Sequence, residues 1–158
     1  MAAPTNTPRG TPTGFYLHDG YSTRIAFSLK PNVAMWIVSA KPPGTDGGEP
    51  IPITTMHNTK VRTFDHRHLL TREGCTIKFA FDPDGHGDFD ALINSNSPVT
   101  LWWPDDSSLD FFGGIQKVEW DEFEEGKMPT GTATIYNTSY DPVNGVEADW
   151  VFTPAAGT

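Results

Sequence analysis

The sequence predicts an all-β domain with one short helix, of the sandwich or barrel class. Short segments with alternating apolar and polar residues recur along the chain, turn residues separate them, and one segment alone has helical periodicity. The chain has 158 residues, 37% of them hydrophobic, so we expect a single domain with a buried core. Because there is one cysteine, no disulfide within the chain is possible.

The chain is predicted to consist of a flexible N-terminal arm, residues 1–14, a single β domain, residues 15–153, and a C-terminal tail, residues 154–158. Pro and Gly among Thr and Asn define the first of these segments. Within the domain, residues 41–74 form a long loop and residues 87–95 a short helix. We expect no secretory signal and no membrane span, because the longest apolar run is too short to cross a bilayer.

The first strand is predicted over residues 21–29, where Ile25 and Phe27 alternate with polar neighbours, and the second over residues 33–39. A Lys-Pro-Asn turn at residues 30–32 separates them. Turn residues between two alternating segments are typical of a hairpin, so we expect these two strands to pair.

The alternation ends at residue 41. Residues 41–48 are rich in Pro and Gly and are predicted to hold neither helix nor strand, and residues 49–74 have no clean period. So long a loop is uncommon in a compact domain, and we expect a neighbouring molecule to order it. Its apolar side chains that would dock on such a neighbour are Ile51, Ile53, Met56, Phe64, Leu69 and Leu70.

The second half of the chain returns to strand patterns. Five strands are predicted over residues 75–81, 99–103, 108–112, 115–123 and 132–138. Gly113 and Gly114 are predicted to separate the third from the fourth of these. Phe89, Leu92 and Ile93 have the i, i+3, i+4 spacing of one helix face, with Asp88 in its first turn.

The sequence offers no catalytic constellation, so we expect no enzyme, cofactor or metal. There is no nucleophile elbow and no zinc-type spacing of Cys and His, and Cys75 lies in a strand pattern typical of a buried thiol. We interpret His66 and His68 as solvated loop residues. Residues 82–88 resemble the start of a calcium loop, but Ile93 stands where a bidentate acid is required, which favours a turn.

The net charge of −9 is divided unevenly: residues 1–78 carry nine basic and five acidic side chains, and residues 79–158 carry two and fifteen. Overall acidity argues against a nucleic-acid grip, which requires clustered Lys and Arg. Either the two halves present opposite charges that meet between copies, or they interleave in one sheet where the charges cancel. Trp102 and Trp103, adjacent in a strand, are expected on opposite faces, one of them in the core.

The segments that carry a family resemblance follow one another along residues 15–150: PPGTDGGEPI (42–51), TTMHNT (54–59), RT (62–63), FDPD (81–84), LIN (92–94), LDFFG (109–113), TATI (132–135) and GVEA (145–148). In this set and order, the chain resembles the major tail tube proteins of siphophages, long-tailed bacteriophages. The HRH run at residues 66–68 and the LWW run at residues 101–103 depart from that pattern.

The resemblance implies two packed β-sheets flanked by a short helix, a tail-tube-type sandwich or barrel whose copies form hexameric rings. Rings would stack head to tail around a tape measure protein, meet tail terminator and distal tail or baseplate proteins at the ends, and let viral DNA pass without specific binding. The chain would be made and assembled in the bacterial host cytoplasm and reside in the virion tail. No additional immunoglobulin-like domain is expected.

Two hypotheses at residue level follow from the resemblance. The long loop would bind the next ring, with Lys60, Arg62, Arg67 and Arg72 facing acidic surface from the second half of the chain. The lumen would be acidic and repel DNA, and its candidates are Glu119, Asp121, Glu122, Glu124 and Glu125. The alternatives are another virion β-protein, such as a head decoration or baseplate module, and a carbohydrate-binding β-sandwich that uses Trp102 and Trp103.

Overall fold

The computed structural model describes residues 23–30, 35–81 and 86–156, and it confirms the fold class as all-β with one short helix. The predicted N-terminal arm, the end of the C-terminal tail and residues 82–85 of the calcium-like segment lie outside these residues. The helix α1 is His86–Leu92. The strands are β1 (Arg24–Phe27), β2 (Trp36–Lys41), β3 (Thr45–Asp46), β4 (Ile51–Pro52), β5 (Phe64–Asp65), β6 (Thr71–Arg72), β7 (Cys75–Ala80), β8 (Ser97–Trp102), β9 (Ser108–Trp120), β10 (Thr130–Asn137), β11 (Tyr140–Asp141), β12 (Val146–Glu147) and β13 (Val151–Thr153).

Seven of these strands form one antiparallel sheet in the order β1-β8-β9-β10-β7-β2, with β13 on β9. The thirteen-residue β9 joins two halves of the sheet: its first part pairs with β8 and β13, and its second part with β10. The remaining short strands pair as β3 with β6, β4 with β5, and β11 with β12.

The predicted hairpin of the first two strands is wrong. Strand β1 pairs with β8, β2 pairs with β7, and the two lie at opposite ends of the sheet order. A turn sequence favours a local reversal of the chain, but the partner of a strand is decided by which buried face it completes. Ile25 and Phe27 of β1 are buried, and their strand lies beside β8, which contributes Val99 and Leu101 to the core.

The predicted break at Gly113 and Gly114 is also absent, because β9 runs through both residues. A Cβ atom at Gly113 would collide with the carbonyl oxygen of Tyr136, and one at Gly114 with that of Ser95. These glycines therefore permit close approach of neighbouring backbones within a strand, a role distinct from that of a turn.

A β-bulge at Gln116 sets which residues of β9 face the core. Thr134 of β10 pairs with Lys117, and the next residue pairs with Ile115, so Gln116 is extra. Before the bulge odd-numbered residues such as Ile115 point inward, and after it Val118 and Trp120 pack against the core. Without the extra residue, strict alternation would direct Lys117 inward.

The core is formed by buried side chains from both halves of the sheet and from the helix. Its members are Ile25, Phe27, Cys75, Ile77, Phe79, Phe89, Leu92, Val99, Leu101, Leu109, Phe111, Ile115, Ala133 and Ile135. The helix has seven residues, a length of roughly 10 Å, whereas six strands side by side span more than about 24 Å. The helix alone is too short to cover this face, and one core cluster includes side chains from β1 and β8 at one end of the sheet order and from β10 and β7 towards the other.

The predicted long loop is instead a two-stranded extension, residues 44–73, that continues the ladder of β2 and β7 away from the sheet. Strand β3 pairs with β6 and β4 with β5, and Ile53 N donates a hydrogen bond to Thr63 O. The expectation that residues 41–48 hold no regular structure is thus wrong at Lys41, where β2 ends, and at β3. From residue 45 to residue 71 every side chain is exposed except those of Asn58 and Thr63, so the extension projects from the body of the domain.

Candidate assembly surfaces

Four strands, β2, β7, β10 and the second part of β9, form a half-sheet whose two edges are both open in the described part of the chain. Strand β2 is last in the sheet order. On the opposite side, β8 pairs with β9 only up to Gly113, and Asn94 N donates to Ile115 O. Over residues 116–119 no described strand covers the far edge of β9. Unpaired strand edges are templates for pairing with another chain.

The outer face of this half-sheet, turned away from the core, carries many polar side chains, and two of its lysines are paired with carboxylates. Residues that share it include Thr76, Lys78, Lys117, Glu119, Thr130, Thr132 and Thr134. Lys117 forms an ion pair with Glu119 at 3.0 Å, and Lys78 one with Asp121 at 3.2 Å. Hydrogen bonds from the Thr130 hydroxyl and from Lys78 hold the pKa of the Asp121 carboxyl below its ordinary value.

The five acidic residues predicted for a lumen do not form one acidic wall. Glu119 and Asp121 are each paired with a lysine of the outer face. Glu122, Glu124 and Glu125 lie in the loop between β9 and β10, residues 121–129, where Glu124 pairs with Lys127. Of these five, Glu122 and Glu125 have no basic partner in the described part of the chain, and both lie at one end of the half-sheet.

The extension carries the predicted apolar contact residues in exposed positions. Its large exposed apolar side chains are Ile51, Ile53, Met56, Val61, Phe64, Leu69 and Leu70. Met56, at the end of the extension, is fully exposed. Apolar side chains are collected in this way on surfaces that contact another molecule, so the extension is a candidate interface.

The four predicted basic residues of the extension divide into two pairs. Lys60 and Arg62 lie at the tip of the extension, residues 53–63 between β4 and β5, and are exposed. Arg67 donates from Nε to the backbone oxygen of Glu49 at 2.9 Å and so joins the two strands of the extension. Arg72 is held within its own chain by Asp149, as its half-buried position at the base of the extension requires.

Asn58 shapes the tip of the extension. Its side-chain oxygen accepts a hydrogen bond from Thr55 N at 2.9 Å, and its backbone N donates to Thr55 O at 3.1 Å. Its side-chain nitrogen donates to the oxygen of Val61 at 3.0 Å and to the hydroxyl of Thr63 at 3.3 Å. One residue thereby closes the turn that presents Met56. This segment of the sequence has no periodicity, but an asparagine is typical of a turn and so indicates one here.

The two adjacent tryptophans face different surroundings, as predicted. Trp103 packs against the core and lies edge-on to Phe152, with ring centroids 5.8 Å apart. Trp102 is on the other face, with the guanidinium of Arg24 at 5.4 Å from its ring centroid. Because each ring is engaged within the chain, the pair does not form the open aromatic platform that a carbohydrate-binding sandwich would use.

The two histidines and the cysteine that were considered for metal binding or catalysis are explained by their positions in the fold. His66 and His68 are exposed on the extension with ring centroids 5.3 Å apart, and Cys75 is buried in β7, where burial raises the pKa of its thiol to about 12. Among residues 23–30, 35–81 and 86–156, no group of three or more His, Cys, Asp or Glu is placed to hold a metal ion. Nor is any helix within those ranges long and apolar enough to cross a membrane.

Comparison with known proteins gives structural matches only. No family model matches the sequence, and no curated protein matches it significantly. The fold matches a chain in the virion of a native gene transfer agent particle, with a TM-score of 0.61, 10% identity, and coverage of 87% of this chain and 99% of that chain. A chain in the tail of an empty gene transfer agent particle, refined helically with C6 symmetry, matches with a TM-score of 0.60, 10% identity and the same coverage.

A chain in the six-fold symmetrised baseplate of the anti-feeding prophage matches with a TM-score of 0.58 and 8% identity, over 84% of this chain and 91% of that chain. The three matched chains therefore resemble this one over nearly their whole length, and their coverage includes more than the central sheet. At this level of identity, the chain is similar in fold to chains of tail and baseplate structures of gene transfer agent and prophage particles.

Proposed function

We propose that the chain is the major tail tube subunit of a siphophage or a related tailed particle. Copies close into hexameric rings, and rings stack head to tail into a hollow tube that holds the tape measure protein and later conducts DNA. The six-fold symmetry named for two of the similar structures supports the ring of six. The protein would be assembled in the bacterial cytoplasm and function in the virion tail, without enzymatic activity.

The observation that carries this proposal is the half-sheet with two open edges. If β2 of one copy pairs with the second part of β9 in the next copy, the four strands join into a continuous barrel and no edge of the half-sheet remains exposed. The β2 edge carries exposed apolar side chains suited to such a contact, since Trp36 is 68% exposed and Val38 is 50% exposed. A closed ring would cover the strand edge that carries both.

The outer face of the half-sheet is suited to line the lumen. Its threonines and lysine–carboxylate pairs offer hydrogen-bonding groups without a cluster of unpaired basic side chains. Phosphate binding depends on such clusters, so DNA would pass along this face without being held. The lumen is thus proposed to be balanced in charge along its wall, with the unpaired acids placed at the ring boundary.

Electron microscopy of purified protein, together with native mass spectrometry, tests the proposal. We expect hollow tubes or stacked rings and a six-copy species. Val38→Lys places a charge at the β2 edge and should abolish rings while the circular dichroism spectrum of the monomer is retained. Val143→Lys, at an 88% exposed valine in the turn between β11 and β12, should assemble normally. A protein that stays monomeric at high concentration and with tape measure and tail initiator proteins present would refute the proposal.

A second candidate is favoured by the match to a baseplate structure. A baseplate subunit would close into the same ring but would end a tube instead of propagating it. Single rings that never stack, seen by the same microscopy, would select this candidate over the tube subunit.

A further inference from the structure

An aromatic groove lies beside the loop that joins β9 and β10. It has a volume of about 320 Å³ and is lined by Phe81, Trp120, Asp121 and Phe123. The Phe81 ring lies 5.1 Å from the ring of Trp120 and 5.7 Å from that of Phe123, centroid to centroid. Phe123 is 55% exposed. The groove is therefore an accessible apolar surface at the end of the half-sheet.

The surroundings of the groove are acidic. Residues 121–129 contain four acidic side chains and one basic side chain, Lys127. Lys127 is paired with Glu124, and Asp121 is paired with Lys78. Glu122 and Glu125 are exposed and have no ion-pair partner in the described part of the chain. An occupant of the groove should thus have an apolar side chain flanked by positive charge.

The tip of the extension has this chemistry. Met56 is fully exposed and Val61 is 72% exposed, and the flanking charges are those of Lys60 and Arg62. Residues 50–64 contain no acidic side chain. Because Asn58 closes the tip with hydrogen bonds to Thr55, Val61 and Thr63, little conformational entropy is lost when Met56 binds.

The register of the sheet places the tip and the groove at opposite ends of one chain. At one end Lys41 pairs with Thr76, and there the extension leaves the sheet. At the other end Trp36 pairs with Ala80 and Gly131 with Trp120, and there the groove lies. The nine residues from 45 to 53 extend roughly 30 Å, and the six residues of β2 roughly 20 Å. The tip therefore points away from its own groove and reaches beyond its own sheet.

We propose that the tip of the extension of one copy binds the aromatic groove of a second copy, with Met56 between Phe81 and Phe123. Lys60 and Arg62 face Glu122 and Glu125 across this contact. The two surfaces differ and lie at opposite ends, so the contact is head to tail and repeats without limit, as an open filament requires. The inference rests on the proposed self-assembly and identifies the receiving site for the extension.

Photo-crosslinking tests the contact without altering the groove. A benzophenone amino acid replaces Met56, and unlabelled variant is assembled with isotope-labelled wild-type chains. We expect a crosslink between an unlabelled and a labelled chain, on the tryptic peptide of residues 118–127, which lies between Lys117 and Lys127 and holds Trp120 and Phe123. The same amino acid at Val143 is the matched control and should not give this product. If tubes form but the crosslinks map to other peptides, the inference is wrong, while the proposed function as a tube subunit is still supported.

Charge exchange gives a second and independent readout. Lys60→Glu with Arg62→Glu, or Glu122→Lys with Glu125→Lys, should each raise the critical concentration for polymerisation on the order of tenfold. The chain with all four changes should return to within about threefold of wild type. All four positions are exposed, so thermal unfolding of the monomers should be unchanged. A fourfold variant as defective as its parents would overturn the inference, and failure of the wild type to polymerise would remove the proposed function with it.

Discussion

Arg72 holds Asp149 through two hydrogen bonds, from Nε to Oδ1 at 2.8 Å and from the terminal nitrogen Nη2 to Oδ2 at 2.7 Å. Its guanidinium also lies 4.2 Å from the ring centroid of Trp150. These contacts join the base of the extension to the segment that leads into β13, 77 residues later in the chain. The extension is thus free at its tip and fixed at its base.

The first prediction is that this anchor is lost in acid. The arginine holds the pKa of the Asp149 carboxyl below its ordinary value, so the anchor is fully present above the unfolded pKa, about 3.9, and disappears as the pH falls through the lower folded pKa. Hydrogen-exchange protection of residues 44–46 and 71–73 should therefore be constant from neutral pH to about pH 4 and then fall.

Asp149→Asn provides the control for this prediction. It retains the shape of the side chain but removes its charge, so protection in the same segments should be low at every pH and show no acid transition. Wild-type protection that stays level down to about pH 2 would contradict an anchor that depends on the carboxylate.

The second prediction concerns the glycine in the middle of β9. Gly113→Ala would place a methyl group against the carbonyl oxygen of Tyr136 and should lower the free energy of unfolding by roughly 1–3 kcal/mol. Gly47→Ala is the matched control, because no atom lies within 4 Å of its Cβ position, and its effect should be within about 0.5 kcal/mol. Urea unfolding of the monomers measures both, and equal midpoints would contradict the close approach.

The third prediction tests the core at Ile77, which is completely buried in β7. Ile77→Val should cost about 0.5–1.5 kcal/mol of the free energy of unfolding and Ile77→Ala about 2–5 kcal/mol, since the second change removes more packed methyl groups. Val143→Ala, at an exposed valine, should cost less than about 0.5 kcal/mol. If chemical denaturation ranked the Ile77→Ala and Val143→Ala variants together, the placement of β7 in the core would be incorrect.

The buried strands could be predicted from the sequence because alternation alone reveals them: Cys75, Ile77 and Phe79 all fall on the buried face of β7. Pairing could not be predicted in the same way. The Lys-Pro-Asn sequence at residues 30–32 is a local signal for a turn, whereas the partner of β1 lies about 75 residues away and is determined by the complete core. The change of phase between Ile115 and Val118 was a readable sign of the bulge at Gln116.

The sequence could not predict that the extension is a two-stranded ladder. Its strands are exposed on both faces, so no apolar periodicity identifies them. The aromatic groove that is proposed to bind the tip could not be predicted for a different reason. Phe81, Trp120 and Phe123 come together only when β7 and β9 are placed on either side of β10, an arrangement that no local pattern specifies. The acidic residues around the groove were noted in the sequence, where all five were assigned together to the wall of the lumen.

The fourth prediction uses the single cysteine as a reporter of the fold. Burial raises the pKa of the Cys75 thiol to about 12, and the reactive thiolate is then almost absent near pH 8. In the native protein a thiol reagent such as dithionitrobenzoate should react on the order of a hundredfold more slowly than in urea. Met56→Cys adds a fully exposed thiol and should give one rapid equivalent in the monomer. In assembled tubes, slow reaction at residue 56 would show that its side chain has become covered, and rapid reaction there would contradict burial of the tip between copies.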